Sequence, residues 1–384
     1  MLKRLVGGFL VFVGCASAAN AEIKVGAILS LTGPAASLGI PAKNAIDILP
    51  RKIGNETVRY IILDDASDTS TAVRAARKLT DDENVDVILG PSITPTSLAI
   101  LEVIGQSKTP TVSLAGSSII AAPPEGNRAW AFKLAPQERI MAAPLFKHMK
   151  RSGYKTVGFI GFNDAFGDSF TGAMKKAAAE HGVQSIIDER YVRTDQSVTA
   201  QALRVIAAKP DAVLICASGT PGVTPILELK KLGYKGQVYV SQALASSDVL
   251  RLGGATLDGV FMSVAPVLVA EQLPDGNQVK PAGLKFAQAY EEKYGKGTRS
   301  LFGATAWDAY LLFEQAAQRA LKSGKSPGTP EFREAVKDAM QDTKELVASQ
   351  GVFNMTPKDH NGTDERSQLL VVIEKGSWKY VPLE

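Results

Sequence analysis

The 384-residue sequence predicts an α/β protein of two lobes, each a parallel-type sheet flanked by helices. Short β-rich runs alternate with helical patterns over most of the chain, which is the signature of βαβ units and hence of parallel strands. The alternation begins afresh after Ala129-Trp130-Ala131-Phe132-Lys133-Leu134, so the architecture is built twice. The length exceeds that of one ordinary domain, and 45% hydrophobic with 21% charged residues suits two well-packed ones.

In the first set, strand-like runs at 23–29, 58–63 and 85–89 alternate with helical patterns at 42–50, 71–79 and 97–104, and a further strand-like run covers 109–113. In the second, strands at 156–160, 183–187, 212–216 and 238–240 alternate with helices at 169–181, 199–207 and 225–232. Beyond Val264-Ala265-Pro266 come a polar loop, Leu273-Pro274-Asp275-Gly276, and helices at 282–294, 305–323 and 331–340. Residues 368–381 read as a hairpin turning at Lys375-Gly376. Helices followed by one hairpin make no third domain, so this last part returns to the first two.

The N-terminus carries Lys3 and Arg4, an apolar stretch at 5–13 and then Ala19-Asn20-Ala21, the order of a secretory signal peptide spanning 1–21. The mature chain is expected to start at Glu22 and to be periplasmic. Phe12-Val13-Gly14-Cys15 loosely resembles a lipoprotein box, but a phenylalanine stands where an aliphatic residue is usual. No later stretch approaches ~18 apolar residues, so no membrane span is expected. Without Cys15, Cys216 has no disulfide partner, and its place in Ala212-Val213-Leu214-Ile215-Cys216 reads as a buried strand position. Loss of Lys3 and Arg4 leaves 41 basic against 39 acidic residues, from 43 and 39, with no block of like charge. A nucleic-acid partner is therefore excluded.

Catalytic constellations are missing. His148, His181 and His360 lie at no ligand spacing and read as solvated helix or loop histidines. Gly167-Asp168-Ser169-Phe170-Thr171-Gly172 has the wrong spacing for a nucleophile elbow, and Ser169 reads as a helix-start residue. Gly324-Lys325-Ser326 follows a helix rather than a strand, which suits a C-cap and not a phosphate loop. Asp64-Asp65-Ala66-Ser67-Asp68 lacks the glycine and closing glutamate of a calcium loop and reads as helix N-capping. No cofactor or metal is expected, and the remaining signal is a ligand-sized cleft at the strand ends between two lobes.

Thr94-Pro95-Thr96-Ser97, just past the run at 85–89, reads as a threonine N-cap with a first-turn proline, a place where free N–H groups meet anions. Leu114-Ala115-Gly116-Ser117-Ser118 is a second small, hydroxyl-rich turn. Side by side, the two turns are suited to hold one carboxylate.

Residues 23–39, Ile23-Lys24-Val25-Gly26-Ala27-Ile28-Leu29-Ser30-Leu31-Thr32-Gly33-Pro34-Ala35-Ala36-Ser37-Leu38-Gly39, resemble the start of periplasmic branched-chain amino-acid-binding proteins of ABC importers. So do Leu63-Asp64-Asp65-Ala66-Ser67-Asp68, Gly158-Phe159-Ile160-Gly161 with Ala165-Phe166-Gly167-Asp168, and Lys230-Lys231-Leu232-Gly233-Tyr234. The resemblance implies the type I periplasmic binding protein fold, with crossovers near Ala135, Ala265 and Gly351. One lobe would comprise 22–135 plus 266–350 and the other 136–265 plus 351–384. It implies hinge closure on a small molecule, for which periplasmic binding proteins are a standard example. It further implies a monomer that performs no chemistry and delivers its ligand to an ABC transporter permease.

The resemblance also assigns the site. Thr94, Ala115 and Ser117 match the positions that hold the ligand carboxylate, with Ala115 expected to offer an accessible backbone N–H. The acidic partner of the ligand ammonium falls at Gln242, an uncharged amide that cannot neutralise a buried ammonium. Either another acid substitutes, with Asp164 and Asp168 nearest, or the ligand has no ammonium; the second is preferred. Leu38 stands where relatives often carry tyrosine or tryptophan, and Phe166 and Phe302 match pocket aromatics without a hydroxyl. Gly219 lies near a bulky position, so the cleft is expected to be roomier there. The expected ligand is an aromatic or other hydrophobic organic acid. The alternatives are a hydrophobic amino acid, or a sensory module of the same shape; an exported enzyme is disfavoured.

Overall fold

The computed structural model describes residues 22–383. The expected signal peptide, with Cys15, lies outside the described residues. Fifteen strands follow in chain order: β1 (Ile23–Leu29), β2 (Lys52–Ile53), β3 (Glu56–Asp64), β4 (Val87–Leu89), β5 (Thr111–Ser113), β6 (Ala131–Lys133), β7 (Thr156–Phe162), β8 (Gln184–Tyr191), β9 (Ala212–Cys216), β10 (Gln237–Val240), β11 (Phe261–Val264), β12 (Leu346–Val347), β13 (Val352–Phe353), β14 (Leu369–Glu374) and β15 (Ser377–Val381). Two main sheets result, ordered β2-β3-β1-β4-β5-β6 and β15-β14-β11-β10-β9-β7-β8, with a small β12-β13 ribbon. Two separate, mainly parallel sheets are what the repeated alternation of strands and helices predicted.

The central strands are largely apolar, as expected for parallel sheets covered on both faces. β9, Ala212 to Cys216, is wholly buried, and Cys216 is the buried strand cysteine that was expected, its thiol pushed up to about 12 by burial. β1 pairs in parallel with β3 on one side (Val25↔Tyr60) and β4 on the other (Val25↔Val87). The winding of the first sheet thus reverses between β1 and β4. In the second sheet β7 sits between β8 and β9, both parallel to it, and the reversal falls between β7 and β9. Parallel sheets bind ligands in the crevice opened by such a reversal, beyond the carboxyl ends of the strands.

The chain leaves the first sheet after β6 and enters the second through the helix Glu138–Arg151. After β11 it passes into the helix Leu301–Lys322, which packs on Ala36–Ile46 beside the first sheet. It returns through β14, antiparallel to β11, and ends in the β14-β15 hairpin turning at Lys375 and Gly376, both at positive φ. Asp308 ties this last passage down: its carboxylate accepts from Ser349 N at 2.9 Å and Gln350 N at 3.0 Å.

Two histidines depart from expectation. His360 is not solvated but 1% exposed, its ring stacked on Phe132 with centroids 4.3 Å apart and its Nδ1 against Ala131 O at 2.9 Å. His148 faces inward, with Nδ1 2.7 Å from the Tyr239 hydroxyl. Both ring nitrogens of His360 are engaged within the fold, since Nε2 meets the Gln341 amide at 2.8 Å. Among the described residues no cluster of three or more metal-ligating side chains occurs.

Candidate ligand site

The carboxyl ends of β1, β4 and β5 face those of β7, β8, β9 and β10 across a narrow cavity. Six of the eight sequence-assigned residues line it: Leu38, Thr94, Ala115, Phe166, Gln242 and Phe302. The wall is mostly apolar, completed by Met141, Phe170 and Leu301, with a few polar groups at fixed points. That composition is typical of small-molecule sites.

The turn after β4 shows how the sequence builds the polar end. Gly90 has φ +111°, and a Cβ there would lie 2.0 Å from Ile28 O, so only glycine lets β4 turn so close to β1. The turn is then pinned by Ser30 N donating to Ser92 Oγ at 3.1 Å. The helix that follows, Thr94–Ala99, has Ile93 as its N-cap, in extended conformation. Thr94 is therefore the first helical residue and not the cap that the sequence suggested. Its Oγ1 is buried and has no hydrogen-bond partner, although Thr94 is only 1% exposed and lines the cavity. A buried hydroxyl without a partner is expensive unless something else occupies the site.

Three assignments are corrected by the geometry. Ala115 N is not free: it donates to Ser113 Oγ at 3.2 Å, although Ala115 and its neighbour Gly116 both line the cavity. Ser117 does not reach the lining, because its hydroxyl donates to Ser169 Oγ at 2.6 Å, and Ser169 donates on to Glu138 Oε1 at 2.7 Å. Ser169 accordingly lies inside the helix Ala165–Glu180, whose N-cap is Asp164. Gly219 gives no extra room. A Cβ on it would lie 2.5 Å from Leu38 Cδ1 and 2.7 Å from Ser37 Oγ, so it marks where the two halves of the cleft touch.

Other contacts close the same seam. Thr220 N donates to Ser37 Oγ at 3.1 Å, Leu301 N to Ala245 O at 3.2 Å, and the Phe166 ring lies against Gly116. Glu138 gathers both sides, accepting from Ser118 N at 2.9 Å as well as from the Ser118 and Ser169 hydroxyls. Burial would raise its carboxyl, but the Lys133 charge and those hydrogen bonds outweigh burial and hold it below the ordinary range. Lys133 is itself fully buried, its ammonium donating to the carbonyls of Gly116, Ala135 and Pro136. Burial pushes it down to about 8 against the attraction of Glu138 and Asp359.

The acids once considered as ammonium partners are committed elsewhere. Asp164 caps its helix, accepting from Phe166 N and Gly167 N at 3.0 Å, and pairs with Arg193 Nε at 2.6 Å. Asp168 points outward, its side chain 72% exposed. Arg193 is a lining residue that sequence reasoning missed: its guanidinium lies 4.1 Å from the Phe162 ring centroid and donates to Ser218 Oγ at 2.8 Å. Nothing in its local sequence marks it, since its place depends on β8 pairing with β7. Ser92 is more legible, being a hydroxyl directly after a buried strand.

A family described as periplasmic binding protein matches residues 22–376. A Leu/Ile/Val-binding protein, BraC3, from Rhizobium johnstonii is 24% identical over 367 residues, covering 91% of this chain and 92% of the relative. An extracellular ligand-binding receptor from Rhodopseudomonas palustris HaA2 is 39% identical with a TM-score of 0.90, covering 94% of this chain and all of that structure. A solute-binding protein of an ABC transporter from R. palustris, solved in complex with 4-hydroxybenzoate, has a TM-score of 0.80 at 20% identity, covering 94% and 96%. At that identity the last likeness concerns the fold.

Proposed function

The chain belongs to the periplasmic binding protein family, and on that premise we propose that it is the solute receptor of an ABC importer for a small carboxylate, an aromatic acid in preference to an amino acid. Residues 1–21 act as its export signal. The receptor binds in the cleft between the two sheets, closes on the ligand by hinge motion and presents the closed form to a permease, with no chemical step. A difference in affinity between open and closed forms is what couples ligand to closure.

One observation carries the ligand class: Thr94 Oγ1 is buried at the cavity without a partner, while no carboxylate is among the described residues that line it. A ligand carboxylate would satisfy the Thr94 and Ser92 hydroxyls. On the far side an ammonium would find the Gln242 amide and the Ser218 hydroxyl but no carboxylate among the described lining residues, Asp164 being held by Arg193. Phe166, Phe170 and Phe302 supply flat apolar faces for a ring. The related fold solved with 4-hydroxybenzoate illustrates that this architecture can enclose an aromatic acid.

A thermal-shift screen of residues 22–384 against branched-chain amino acids and substituted benzoates tests the reading. Stabilisation by benzoates and none by leucine or valine is expected. The reverse pattern would return the chain to amino-acid binding.

A further inference from the structure

Gln242 has a single side-chain neighbour within hydrogen-bond reach, and that neighbour determines which end of its amide meets the cavity. Gln368 Nε2 donates to Ser367 O and to Gln242 Oε1, each at 2.7 Å. The Ser367 carbonyl can only accept, so Gln368 must turn its NH₂ group that way. Both N–H bonds of that group are then used, and Gln242 can meet it only with its oxygen. The arrangement holds although it leaves Gln368 Oε1 buried without a partner. Gln242 is 2% exposed and lines the cavity, and its own Nε2 meets no acceptor among the described residues.

We infer that Gln242 is a hydrogen-bond donor to the ligand, that Gln368 is the residue positioning it, and that the ligand carries a second oxygen acceptor remote from its carboxylate. The inference rests on the carboxylate reading above. The rest of the cavity agrees with it: Arg193 on the same side is a pure donor, and the Thr94 and Ser92 hydroxyls can donate opposite. A cavity with donors at both ends favours a ring bearing a carbonyl or second carboxylate over one bearing an amine. A donor-bearing ligand would place N–H against N–H and leave both unpaired.

The test is calorimetric titration of residues 22–384 with three probes: benzoate, 4-formylbenzoate (acceptor only) and 4-aminobenzoate (chiefly a donor). The formyl compound should bind about tenfold more tightly than the amino compound. In Gln368→Ala, Gln242 is free to turn, and that ratio should fall to about threefold or less. Gln242→Leu should abolish the ratio by removing the donor itself, and provides the same reading if Gln368→Ala fails to fold. A ratio near one in the parent chain, or a ratio that survives Gln368→Ala or Gln242→Leu, overturns the inference and leaves the carboxylate reading standing. Failure of all three probes to bind overturns the carboxylate reading, and this inference with it.

Discussion

Ser117 donates its hydroxyl to Ser169 Oγ at 2.6 Å, joining residues 52 apart in sequence on opposite sides of the cleft. The contact bridges the cleft, and it feeds into Glu138, the first residue of the helix Glu138–Arg151. On the proposed function, Ser117 would serve closure and not the ligand. Ser117→Ala should weaken ligand binding by about 1 kcal/mol, Ser169→Ala, which also loses the bond to Glu138, by at least as much, and the double variant by no more than Ser169→Ala alone, because that variant has already lost the Ser117 bond. If Ser117 touched the ligand, only its own substitution would reduce affinity in a calorimetric double-mutant cycle.

Thr94→Val should separate stability from binding. Removing an unpartnered buried hydroxyl leaves the unliganded protein as stable as before or slightly more so, since nothing is lost but an unsatisfied group. Binding of an aromatic acid should weaken by about 1–3 kcal/mol, because a buried charged acceptor is left short of a donor. Chemical denaturation without ligand and calorimetry with it check the two signs; a fall in stability with unchanged affinity would mean that the hydroxyl serves the fold.

Gly219→Ala should hold the cleft ajar. The residue sits at φ +63° and ψ −162°, a region essentially confined to glycine, and the added methyl would strike Leu38 and Ser37. Backbone strain of roughly 1–3 kcal/mol is expected, together with weakened binding. Small-angle scattering with saturating ligand should show a larger radius of gyration than the parent; an equal radius with equal affinity would show that the seam yields.

Glu138 sets an acid-side pH dependence. Its carboxyl lies lower in the folded protein than the ordinary 4.5, because the Lys133 charge and three hydrogen bonds outweigh burial. The unfolded chain then binds the proton more readily, so the contribution is complete above about pH 4.5 and is lost as pH falls through the lower folded value. Asp308 opposes it: burial raises its carboxyl to about 6, so stability from that group falls as pH rises from 3.8 towards 6. The comparison is therefore with Glu138→Gln at each pH. The stability gap between parent and variant, read from urea midpoints, should shrink below about pH 4.5; a gap that widens there would reverse the sign.

Much of this was legible in the chain, because strand and helix periodicities and the repeated βαβ pattern are local signals. Thr94 was found as a hydroxyl after a buried strand, but its position one residue inside the helix depends on the extended backbone of Ile93, which sequence does not display. Gly219 was read as space. Glycine is small there because Leu38 already fills the space, a fact that belongs to the partner half of the cleft. Arg193 escaped notice for a related reason: Asp164 lies 29 residues away and reaches it only because β7 and β8 are neighbours. The helix expected at 42–50 begins instead at Ala36, with Pro41 inside it. Pro41 stands six residues into that helix and forfeits one helical hydrogen bond, yet the helix persists where it packs on Leu301–Lys322, so proline was a misleading stop signal.

The most decisive measurement is calorimetric titration of residues 22–384, freed of bound ligand by unfolding and refolding, with benzoate and with L-leucine. Saturable one-to-one binding of benzoate, weakened in Thr94→Val, with no heat from leucine, is the expected result. Tight binding of leucine, with benzoate inert, would contradict the carboxylate-without-ammonium site built on Thr94 and Gln242.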